Sequence, residues 1–397
     1  MTEPSSLVAD AAAIAREFAR KTLLPRAREL EQQGGAAGGG ARPADGVPLA
    51  ALMADLADRL GLPELGREAA EDPAANGALL FDPELSSALL HELTRALPGF
   101  ALSFGASLGL CGQSLLRRGS PEQRRRFAAP VLGFRQIGCW ALTEPEAGSD
   151  AFSLRTEARR DGGSFVLRGE KSFITNAPIA DVFVIFARIA GAPHDGKIRA
   201  FVLERGDGGV TTSPPYDKMG MRSSPTGSIF LDEVRVDADR LLGDPEESGK
   251  RAAVETLLGE RAGLTAMALA IVEESLALAL AYAKERRQFG QPIASFQAVQ
   301  LRLARLYAAQ ETIRALLDRG RLLVGRGEAS LEYFCAAKYT ASALATQAAL
   351  EAVQVLGGNG YMAEYRVEGL ARDAKLLEIG GGTSDIQLLA VAREILR

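Results

Sequence analysis

The spacing of apolar residues divides the chain into three stretches. In the first, up to about residue 135, apolar residues recur at helical spacing, beginning with Leu7, Ala11, Ile14 and Phe18. Similar patterns predict helices over 49–60 and 83–97, and Ser120 followed by Pro121 is a typical helix start. The glycine-rich segment 34–40 predicts a flexible connector within this helical stretch.

The second stretch, from about residue 137, holds short runs of β-branched and aromatic residues separated by glycine, proline and aspartate. These runs predict strands at 165–168, 182–186, 200–203 and 229–236. The third stretch is helical again, with long apolar-periodic segments at 255–284, 296–324 and 331–356, and a shorter one at 383–396.

The order of helices, strands and helices, without βαβ alternation, predicts an α+β multidomain protein. We expect an N-terminal α-helical domain over 1–136, a middle β-barrel or β-sandwich domain over 137–240, and a C-terminal four-helix bundle over 241–397. A length of 397 residues fits two or three such domains.

Composition narrows the class of protein. A net charge of −4 argues against nucleic acid as a partner. The three widely spaced cysteines (Cys111, Cys139, Cys335) argue against a disulfide framework and fit a reducing, cytoplasmic setting. The two histidines, His91 and His194, have no cysteine near them, so we expect no metal site. The uncharged segment 97–116 contains proline, glycine and polar residues, which favours a buried helix over a membrane span.

Two short motifs match well-known signatures in the wrong context. The segment 105–109 (Gly-Ala-Ser-Leu-Gly) matches a serine-hydrolase elbow, but it lies in an apolar helical run, where no strand precedes it. The segment 358–363 matches a dinucleotide-binding fingerprint, but a long predicted helix comes before it. We therefore expect neither a hydrolase nor a Rossmann site.

Five other segments combine glycines with polar, cationic or aromatic residues. They are 140–150 (Trp-Ala-Leu-Thr-Glu-Pro-Glu-Ala-Gly-Ser-Asp), 171–177 (Lys-Ser-Phe-Ile-Thr-Asn-Ala), 285–293 (Glu-Arg-Arg-Gln-Phe-Gly-Gln-Pro-Ile), 354–360 (Gln-Val-Leu-Gly-Gly-Asn-Gly) and 377–387 (Leu-Glu-Ile-Gly-Gly-Gly-Thr-Ser-Asp-Ile-Gln). A glycine-rich turn that opens a helix, as in the last segment, directs free N–H groups towards a ligand. Taken singly, each segment is equally consistent with an ordinary turn or a solvated helix face.

Together these segments resemble the acyl-CoA dehydrogenase family of flavoproteins, with specific matches from about residue 119 to the end of the chain. The resemblance implies the three-domain fold predicted above and FAD as the cofactor. The family is usually tetrameric, so we expect a homotetramer or homodimer. It also implies oxidoreductase activity on an acyl-CoA, with electrons passing to an electron-transfer flavoprotein.

The resemblance also assigns residues to FAD. The flavin would contact the β-domain residues Leu142, Thr143, Ser149, Phe173 and Thr175. The family more often has tryptophan at the position of Phe173; phenylalanine keeps ring stacking but has no indole N–H. Cationic and polar residues of a neighbouring subunit would hold the pyrophosphate, since the planar fork of an arginine matches phosphate oxygens. This cross-subunit set comprises Arg286, Gln288, Phe289, Phe296, Gln297, Gln354, Gly357 and Gly358. Near the catalytic turn, the FAD would meet Thr383, Ser384 and Asp385.

Dehydrogenation of a thioester across its α and β carbons requires a base for the α proton, and that base is normally a buried carboxylate. Many family members place this glutamate at the position of Gly381, which has no side chain. Glu260 is the candidate, because the isovaleryl-CoA dehydrogenase branch has its glutamate on this helix. Leu264, Met267 and Ile271 follow it at helical spacing, so Glu260 lies on an apolar stripe. The alternative is a surface glutamate paired with Arg261 or Lys250.

The expected reaction is FAD-dependent α,β-dehydrogenation of a short, branched or cyclic acyl thioester, with Glu260 as base and flavin N5 as hydride acceptor. Small residues at Gly380 and Gly381 leave a wide pocket floor. The N–H of Gly381 would donate to the thioester oxygen. Further substrate contacts would come from Ser149, Arg261, Gly380 and Gly382.

Three alternatives stay open at this point. Relatives often have an aspartate where Leu258 stands, contacting the CoA moiety, so the substrate is either free acyl-CoA or an acyl group tethered to a carrier protein. A flavin-binding member without catalytic activity is a second alternative. An oxidase that passes electrons to oxygen is the third.

Overall fold

The computed structural model describes residues 6–34, 48–191, 196–244 and 248–397. Most of the predicted connector at 34–40, and His194, lie outside the described residues. The N-terminal helices are α1 (Ser6–Phe18), α2 (Ala27–Gly34), α3 (Leu49–Arg59), α4 (Leu62–Glu71), α5 (Pro73–Leu80), α6 (Pro83–Ala96), α7 (Pro98–Gly105), α8 (Gln113–Arg118), α9 (Pro121–Gln123) and α10 (Ala129–Leu132). Ser120 caps α9 through a reciprocal capping box with Gln123, so the predicted helix start is confirmed.

The middle of the chain forms an eight-stranded sheet, with its strands in the order β6-β7-β3-β2-β4-β5-β8, while β1 pairs with β4. The strands are β1 (Gly138–Ala141), β2 (Glu157–Asp161), β3 (Ser164–Thr175), β4 (Val182–Ala190), β5 (Ile198–Glu204), β6 (Val210–Thr212), β7 (Thr226–Asp237) and β8 (Leu241–Leu242). Strand β4 is buried on both faces: Val184 packs into the core shared with the helices, whereas Phe183 and Ile185 pack into a second core inside the β domain.

The C-terminal part contains α11 (Gly249–Glu285), β9 (Arg287–Gln288), β10 (Gln291–Pro292), α12 (Gln297–Gly325), α13 (Leu331–Leu356), α14 (Val367–Leu377) and α15 (Ser384–Ile395). The long helices agree with the apolar pattern. Helix α14 was not predicted, because no Ser, Thr, Asp or Asn caps its start; Arg366 occupies that position with a φ of 63°. The overall class, with N-terminal helices, a middle β domain and a C-terminal helical bundle, is confirmed. The exact domain boundaries stay predictions.

Helix α11 is the central element of this architecture. It packs against α6, α12, α13 and α14, and its first turns reach β5. Within the described ranges, α11 and Pro98–Arg118 are long and apolar enough to cross a membrane by length and composition. The apolar windows of both are mostly buried inside the protein, at 61% for α11 and 72% for Pro98–Arg118. This burial agrees with the prediction of a buried helix at 97–116.

A buried ionic network ties the N-terminal helices to the bundle. His91 Nε2 on α6 lies 2.8 Å from Glu273 Oε2 on α11, and Arg314 of α12 contacts the other oxygen of Glu273 at 2.8 Å. Glu92, beside His91, accepts two hydrogen bonds from Arg16 of α1. Burial lowers the pKa of His91, but the hydrogen bonds and charges of Glu273 and Glu92 outweigh burial and raise it from 6.5 to about 8.

The His91 network predicts a pH-dependent stability. Because the folded-state pKa lies above the unfolded value, the stabilisation is fully present below pH 6.5 and is lost as the pH rises through about 8. This shift corresponds to about 2 kcal/mol. Between about pH 6 and about pH 9, wild type should therefore lose about 2 kcal/mol more stability than His91→Gln. Urea unfolding midpoints at both pH values check this, and parallel pH curves for the two proteins would contradict it.

Candidate active site

The glycine turn at 380–382 lies between the end of α14 and the start of α15. Gly381 and Gly382 have φ angles of 63° and 93°, a backbone region that glycine adopts without strain. Thr383 ends the turn by capping α15, since its Oγ1 accepts the N–H of Ile386 at 3.3 Å. Ser384 and Asp385 form the first turn of α15, where Ser384 is half-buried and Asp385 is exposed.

Glu260 of α11 projects directly at this turn. A Cβ atom on Gly381 would lie 3.2 Å from Glu260 Oε2 and 2.9 Å from Leu264 Cδ1. The space in which a side chain at 381 would begin is thus filled by the carboxylate of Glu260 and by Leu264. The sequence-based juxtaposition of Glu260 with Gly381 therefore agrees with the geometry, although its catalytic role stays a prediction.

Apolar residues follow Glu260 along its face of α11, and among the described residues no cation lies within ion-pair distance of its carboxylate. Leu264, Met267 and Ile271 are all buried, as the helical spacing predicted. In the described part of the chain, Glu260 forms no salt bridge, so the alternative of a surface pair with Arg261 or Lys250 is not seen. Burial raises the pKa of Glu260, while the charges of Arg261 and Lys338 pull it down; the net direction is upward.

Arg261 is buried beside α13 rather than exposed at an entrance. Its Nε and Nη1 atoms have no hydrogen-bond acceptor among the residues that the structure describes. Buried guanidinium donors without acceptors are costly, which fits a group that awaits an external acceptor. Its predicted contact with the substrate stays a prediction.

Two side chains near the turn were missed by the sequence analysis. Lys338 of α13 and Gln387 of α15 are both buried and both contact the turn. Lys338 carried a usable signal, because it is the one charged residue in the otherwise uncharged segment 333–350. Gln387 carried no signal, since a polar residue in an amphipathic helix is normally exposed.

The β-domain loop after β1 is held by a buried ion pair. Lys171 Nζ of β3 lies 2.7 Å from Glu144 Oε1 and donates to the carbonyl oxygen of Leu142 at 3.1 Å. Glu144 also accepts the backbone N–H groups of Arg155 and Thr156. Burial lowers the pKa of Lys171 to about 8 against the opposing charge of Glu144. The pair fixes the loop that carries three predicted flavin contacts, namely Leu142, Thr143 and Ser149.

Phe173 is presented on the surface by an irregularity in β3. The pairing of β3 with β7 shifts register between Lys171 and Ile174, and Phe173 has a φ of 58°, which is unusual for a bulky residue. Its ring is 69% exposed and packs edge-on against Tyr216 at 5.5 Å between centroids. Thr175 closes the strand and is half-buried. An N–H···O bond from Ser172 to Thr143, 3.0 Å, brings the Phe173 segment beside the loop.

The remaining predicted cofactor residues form a second group at the far end of α11. Phe289 and Gly290 both have positive φ at the tip of the β9–β10 hairpin, as a two-residue turn requires, and Phe289 is 91% exposed. Phe289 packs edge-on against Phe296. The side chain of Asn359 donates to the hydroxyl of Tyr282, which brings the segment after α13 beside this hairpin. Several members of this group are exposed: Arg286, Gln288, Gln297, Gln354, Gly357 and Gly358.

Within the described ranges, the two groups share no hydrogen bond, ion pair or ring contact. That the second group serves a neighbouring subunit stays a prediction. The residues fit FAD: Phe173 offers an exposed ring for a flat ligand, and Arg286 offers donors for a pyrophosphate. At Gly357, with a φ of 60°, no atom lies within 4 Å of a would-be Cβ, which leaves room for close approach.

Neither the segment 105–109 nor the segment 358–363 has the structural context that its motif requires. The segment 105–109 ends α7 and continues into a π-helical turn (Ala106–Gly112), not a strand–turn–helix elbow. The segment after Gly358 lies in a 3₁₀ turn that follows helix α13, and no strand precedes it. Across the described residues, no cluster of three His, Cys, Asp or Glu side chains could hold a metal ion.

Comparison with protein families covers most of the chain. Residues 9–134 match the N-terminal domain of acyl-CoA dehydrogenase, residues 139–234 match the middle domain, and residues 247–396 match the C-terminal domain. These matches follow the same order as the helices, the sheet and the bundle. The chain therefore belongs to the acyl-CoA dehydrogenase family of flavoenzymes, and it is an oxidoreductase.

Individual relatives extend this result. The chain is 37% identical to the probable acyl-CoA dehydrogenase YngJ of Bacillus subtilis over 96% of both chains. It is 35% identical to the mitochondrial isovaleryl-CoA dehydrogenase of Oryza sativa subsp. japonica, over 78% of this chain and 75% of the relative. The structure of a glutaryl-CoA dehydrogenase from Mycobacterium smegmatis in complex with FADH2 superposes with a TM-score of 0.87 at 26% identity, covering 99% and 95% of the two chains. The FAD prediction is thus confirmed for the family.

The buried pair Lys171–Glu144 gives a prediction about cofactor retention. Lys171→Met leaves the Glu144 carboxylate buried without its cation, which should cost about 3 kcal/mol and loosen the loop at 142–149. We expect a lower unfolding temperature and faster loss of flavin on dilution than in wild type.

The double variant Glu144→Gln/Lys171→Met removes both charges and should recover part of the unfolding temperature. Flavin absorbance after gel filtration and calorimetric unfolding temperatures provide the measurements. Full flavin retention in Lys171→Met would show that the pair does not hold the loop.

Proposed function

We propose that the chain catalyses α,β-dehydrogenation of a short, branched acyl-CoA thioester, with Glu260 as the base. One observation carries this proposal: the Glu260 carboxylate lies where a side chain at Gly381 would begin, 3.2 Å from the ideal Cβ position. A base attached to α11 thereby reaches the position that a base attached to the turn would occupy. The upward shift in the pKa of Glu260 suits a carboxylate that must take a weakly acidic proton.

FAD is the proposed cofactor, by analogy with the FADH2 complex of the related glutaryl-CoA dehydrogenase. The loop residues Leu142, Thr143 and Ser149, together with Phe173 and Thr175, would hold the flavin in the same subunit. Arg286 and Phe289 would hold the pyrophosphate end for a second copy of the chain, which makes a homotetramer or homodimer the expected assembly. Bound FAD would supply the acceptor for the hydride that leaves the β carbon, and an electron-transfer flavoprotein would take the electrons onward.

The glycine turn supplies the hydrogen-bond donors of the proposed site. In the part of the chain that the structure describes, the N–H groups of Gly381 and Gly382 donate to no protein acceptor. Such donors, aimed at a thioester oxygen, stabilise the negative charge that develops there when the α proton leaves. Glu260 takes that proton on its carboxylate, and the buried side chains of Leu264 and Met267 form the apolar stripe beside it.

A glycine-lined seam next to Glu260 limits the size of the acyl group. Gly263 of α11 and Gly105 at the end of α7 both lie against Leu90 of α6, and Gly109 follows in the segment before α8. A Cβ on Gly109 would meet no atom within 4 Å, whereas Leu90 of α6 lies 3.1 Å and 3.0 Å from the ideal Cβ positions of Gly105 and Gly263. Leu90 therefore closes the seam within about one helical turn of Glu260, which favours a short acyl group.

A second candidate substrate is an acyl group tethered to a carrier protein. The observation in its favour is Leu258, an apolar residue where relatives often carry an aspartate that contacts the CoA moiety. A flavin-binding protein without dehydrogenase activity, and an oxidase that uses oxygen, are the remaining alternatives.

The test is anaerobic bleaching of the flavin in the purified protein. We expect isovaleryl-CoA or isobutyryl-CoA to bleach the wild-type flavin rapidly, and Glu260→Gln to slow bleaching by about 10³-fold, because the general base is lost. Glu255→Gln is the matched control, since Glu255 lies on the same helix but pairs with Arg118 and Arg251.

Bleaching that persists in Glu260→Gln would remove Glu260 as the base. Bleaching by carrier-bound but not CoA-bound acyl groups would select the second candidate. Oxygen uptake during turnover would select the oxidase, and no bleaching by either thioester class in an FAD-loaded protein would select the non-catalytic alternative.

The position of Leu90 gives a prediction about chain length. Leu90→Ala opens the closed end of the seam, so kcat/KM for a linear six-carbon acyl-CoA should rise about 10-fold relative to the branched short substrate. Leu89→Ala is the matched control, because Leu89 packs into a separate cluster with Val8 and Leu85. Unchanged chain-length preference in Leu90→Ala would contradict the assignment of the seam to the acyl group.

A further inference from the structure

The carbonyl oxygens of the glycine turn are bound by two side chains from other elements. Lys338 Nζ of α13 donates to the oxygen of Gly382 at 2.7 Å. Gln387 Nε2 of α15 donates to the oxygens of Gly381 and Gly382, both at 2.9 Å. Lys338 is 1% exposed and Gln387 is fully buried. Both carbonyl groups are therefore directed into the protein, and neither contact is open to water.

The ends of the turn are also fixed. The N–H of Gly380 donates to Leu376 O at 2.8 Å, and the N–H of Ser384 donates to Glu378 O at 2.9 Å. In a trans peptide the N–H and C=O groups point in opposite directions, so binding the oxygen of Gly381 turns the N–H of Gly382 away from Gln387. A peptide flip at either glycine would be easy without these contacts, because glycine tolerates many backbone conformations.

Both side chains are expensive to keep where they are. Burying an ammonium group costs several kcal/mol unless its partners compensate. The Oε1 atom of Gln387 finds no donor among the described residues. Two apolar side chains of the same size would have a lower desolvation cost, but they would leave the two carbonyl oxygens without hydrogen-bond donors. The arrangement is therefore specific to the turn and is not explained by filling of the core.

Lys338 and Glu260 meet the same turn, since Lys338 Nζ binds the oxygen of Gly382 and Glu260 Oε2 lies 3.2 Å from the ideal Cβ position of Gly381. The charged and titratable groups around Lys338 are Glu260 and Arg261 from α11, Glu378 after α14, and Cys335 on its own helix. Around Glu260 the charged groups are Arg261 and Lys338. Burial lowers the pKa of Lys338 to about 8, although the charge of Glu260 opposes the decrease. At neutral pH the ammonium favours the ionised form of Glu260 and opposes the effect of burial on that carboxylate.

We propose that Lys338 and Gln387 are positioning residues: they fix the backbone that follows Gly381, so that the N–H groups of Gly381 and Gly382 stay free for the thioester oxygen, and Lys338 places a positive charge on the turn that Glu260 contacts. The proposal rests on the proposed dehydrogenation and adds two residues that touch neither substrate nor cofactor. Their effect runs through the turn for Gln387, and through both the turn and the base for Lys338.

The kinetic test uses the FAD-loaded variants Lys338→Met, Lys338→Arg and Gln387→Met, with single-turnover flavin reduction followed across pH. Lys338→Met should slow reduction about 100-fold, as expected when oxyanion donors are misaligned. The acid limb of the pH–rate profile of Lys338→Met should move to higher pH by roughly one unit, because a cation near Glu260 is lost. Gln387→Met should slow reduction without moving the limb. KM should change far less than kcat in both, since the lost interaction belongs to the transition state.

Lys338→Arg separates charge from shape. The guanidinium keeps a positive charge, so the acid limb of the pH–rate profile should return to its wild-type position. The rate should recover only in part, because a planar guanidinium cannot reproduce the hydrogen-bond geometry of the ammonium group. If Lys338→Met retains the wild-type rate per bound FAD, or if its limb stays in place, the proposal is overturned. A lower unfolding temperature with unchanged kinetics would assign both residues to packing alone and would also overturn it.

Hydrogen exchange provides a readout that does not depend on turnover. The peptide covering 377–387 should exchange faster in Lys338→Met and Gln387→Met than in wild type, while peptides from α11 keep their protection. Unchanged exchange in the turn overturns the proposal. If no acyl thioester bleaches the wild-type flavin, the proposed function fails, and exchange alone decides whether the two side chains hold the turn.

Discussion

The space between α11 and the glycine turn admits one carboxylate, and the rest of the site depends on that constraint. A side chain at Gly381 would begin within contact distance of both Glu260 and Leu264, at a backbone φ of 63° that only glycine adopts readily. The glycine is therefore required by Glu260, which lies about three helical turns into α11. With no side chain of its own, the turn offers backbone N–H groups, and α11 offers the carboxylate of the proposed base.

Buried lysines hold two of the loops that carry predicted site residues. Lys171 and Glu144 fasten the first β-domain loop to β3, and Lys338 fastens the glycine turn to α13. In both places a lysine whose pKa burial lowers to about 8 donates to a backbone carbonyl of the loop. An ammonium group in a dry interior is stable in few geometries, so such a contact specifies one loop conformation more sharply than apolar packing does.

The sequence pattern alone predicted the order of helices and strands, because the spacing of apolar residues differs between helices and strands that bury one face. The pairing of Glu260 with Gly381 was also predictable, since a missing glutamate on the turn and a glutamate on an apolar stripe were both visible. Helix α14 was missed because Arg366 is not a capping residue. Lys338 and Gln387 were missed because their contacts join residues on different helices, and no local pattern shows that a turn carbonyl will need a donor there.

Helix α11 has a consequence for how the assembly and the chemistry depend on each other. Its 37 residues form one continuous rod of about 55 Å, with Glu260 about a third of the way along it and the hairpin that exposes Phe289 directly after its far end. A helix packed on four others transmits displacement with little bending. The distance between the proposed base and the hairpin proposed to serve a second copy is thereby set by helical rise, so under this proposal a change in how two copies meet would displace the group that takes the proton.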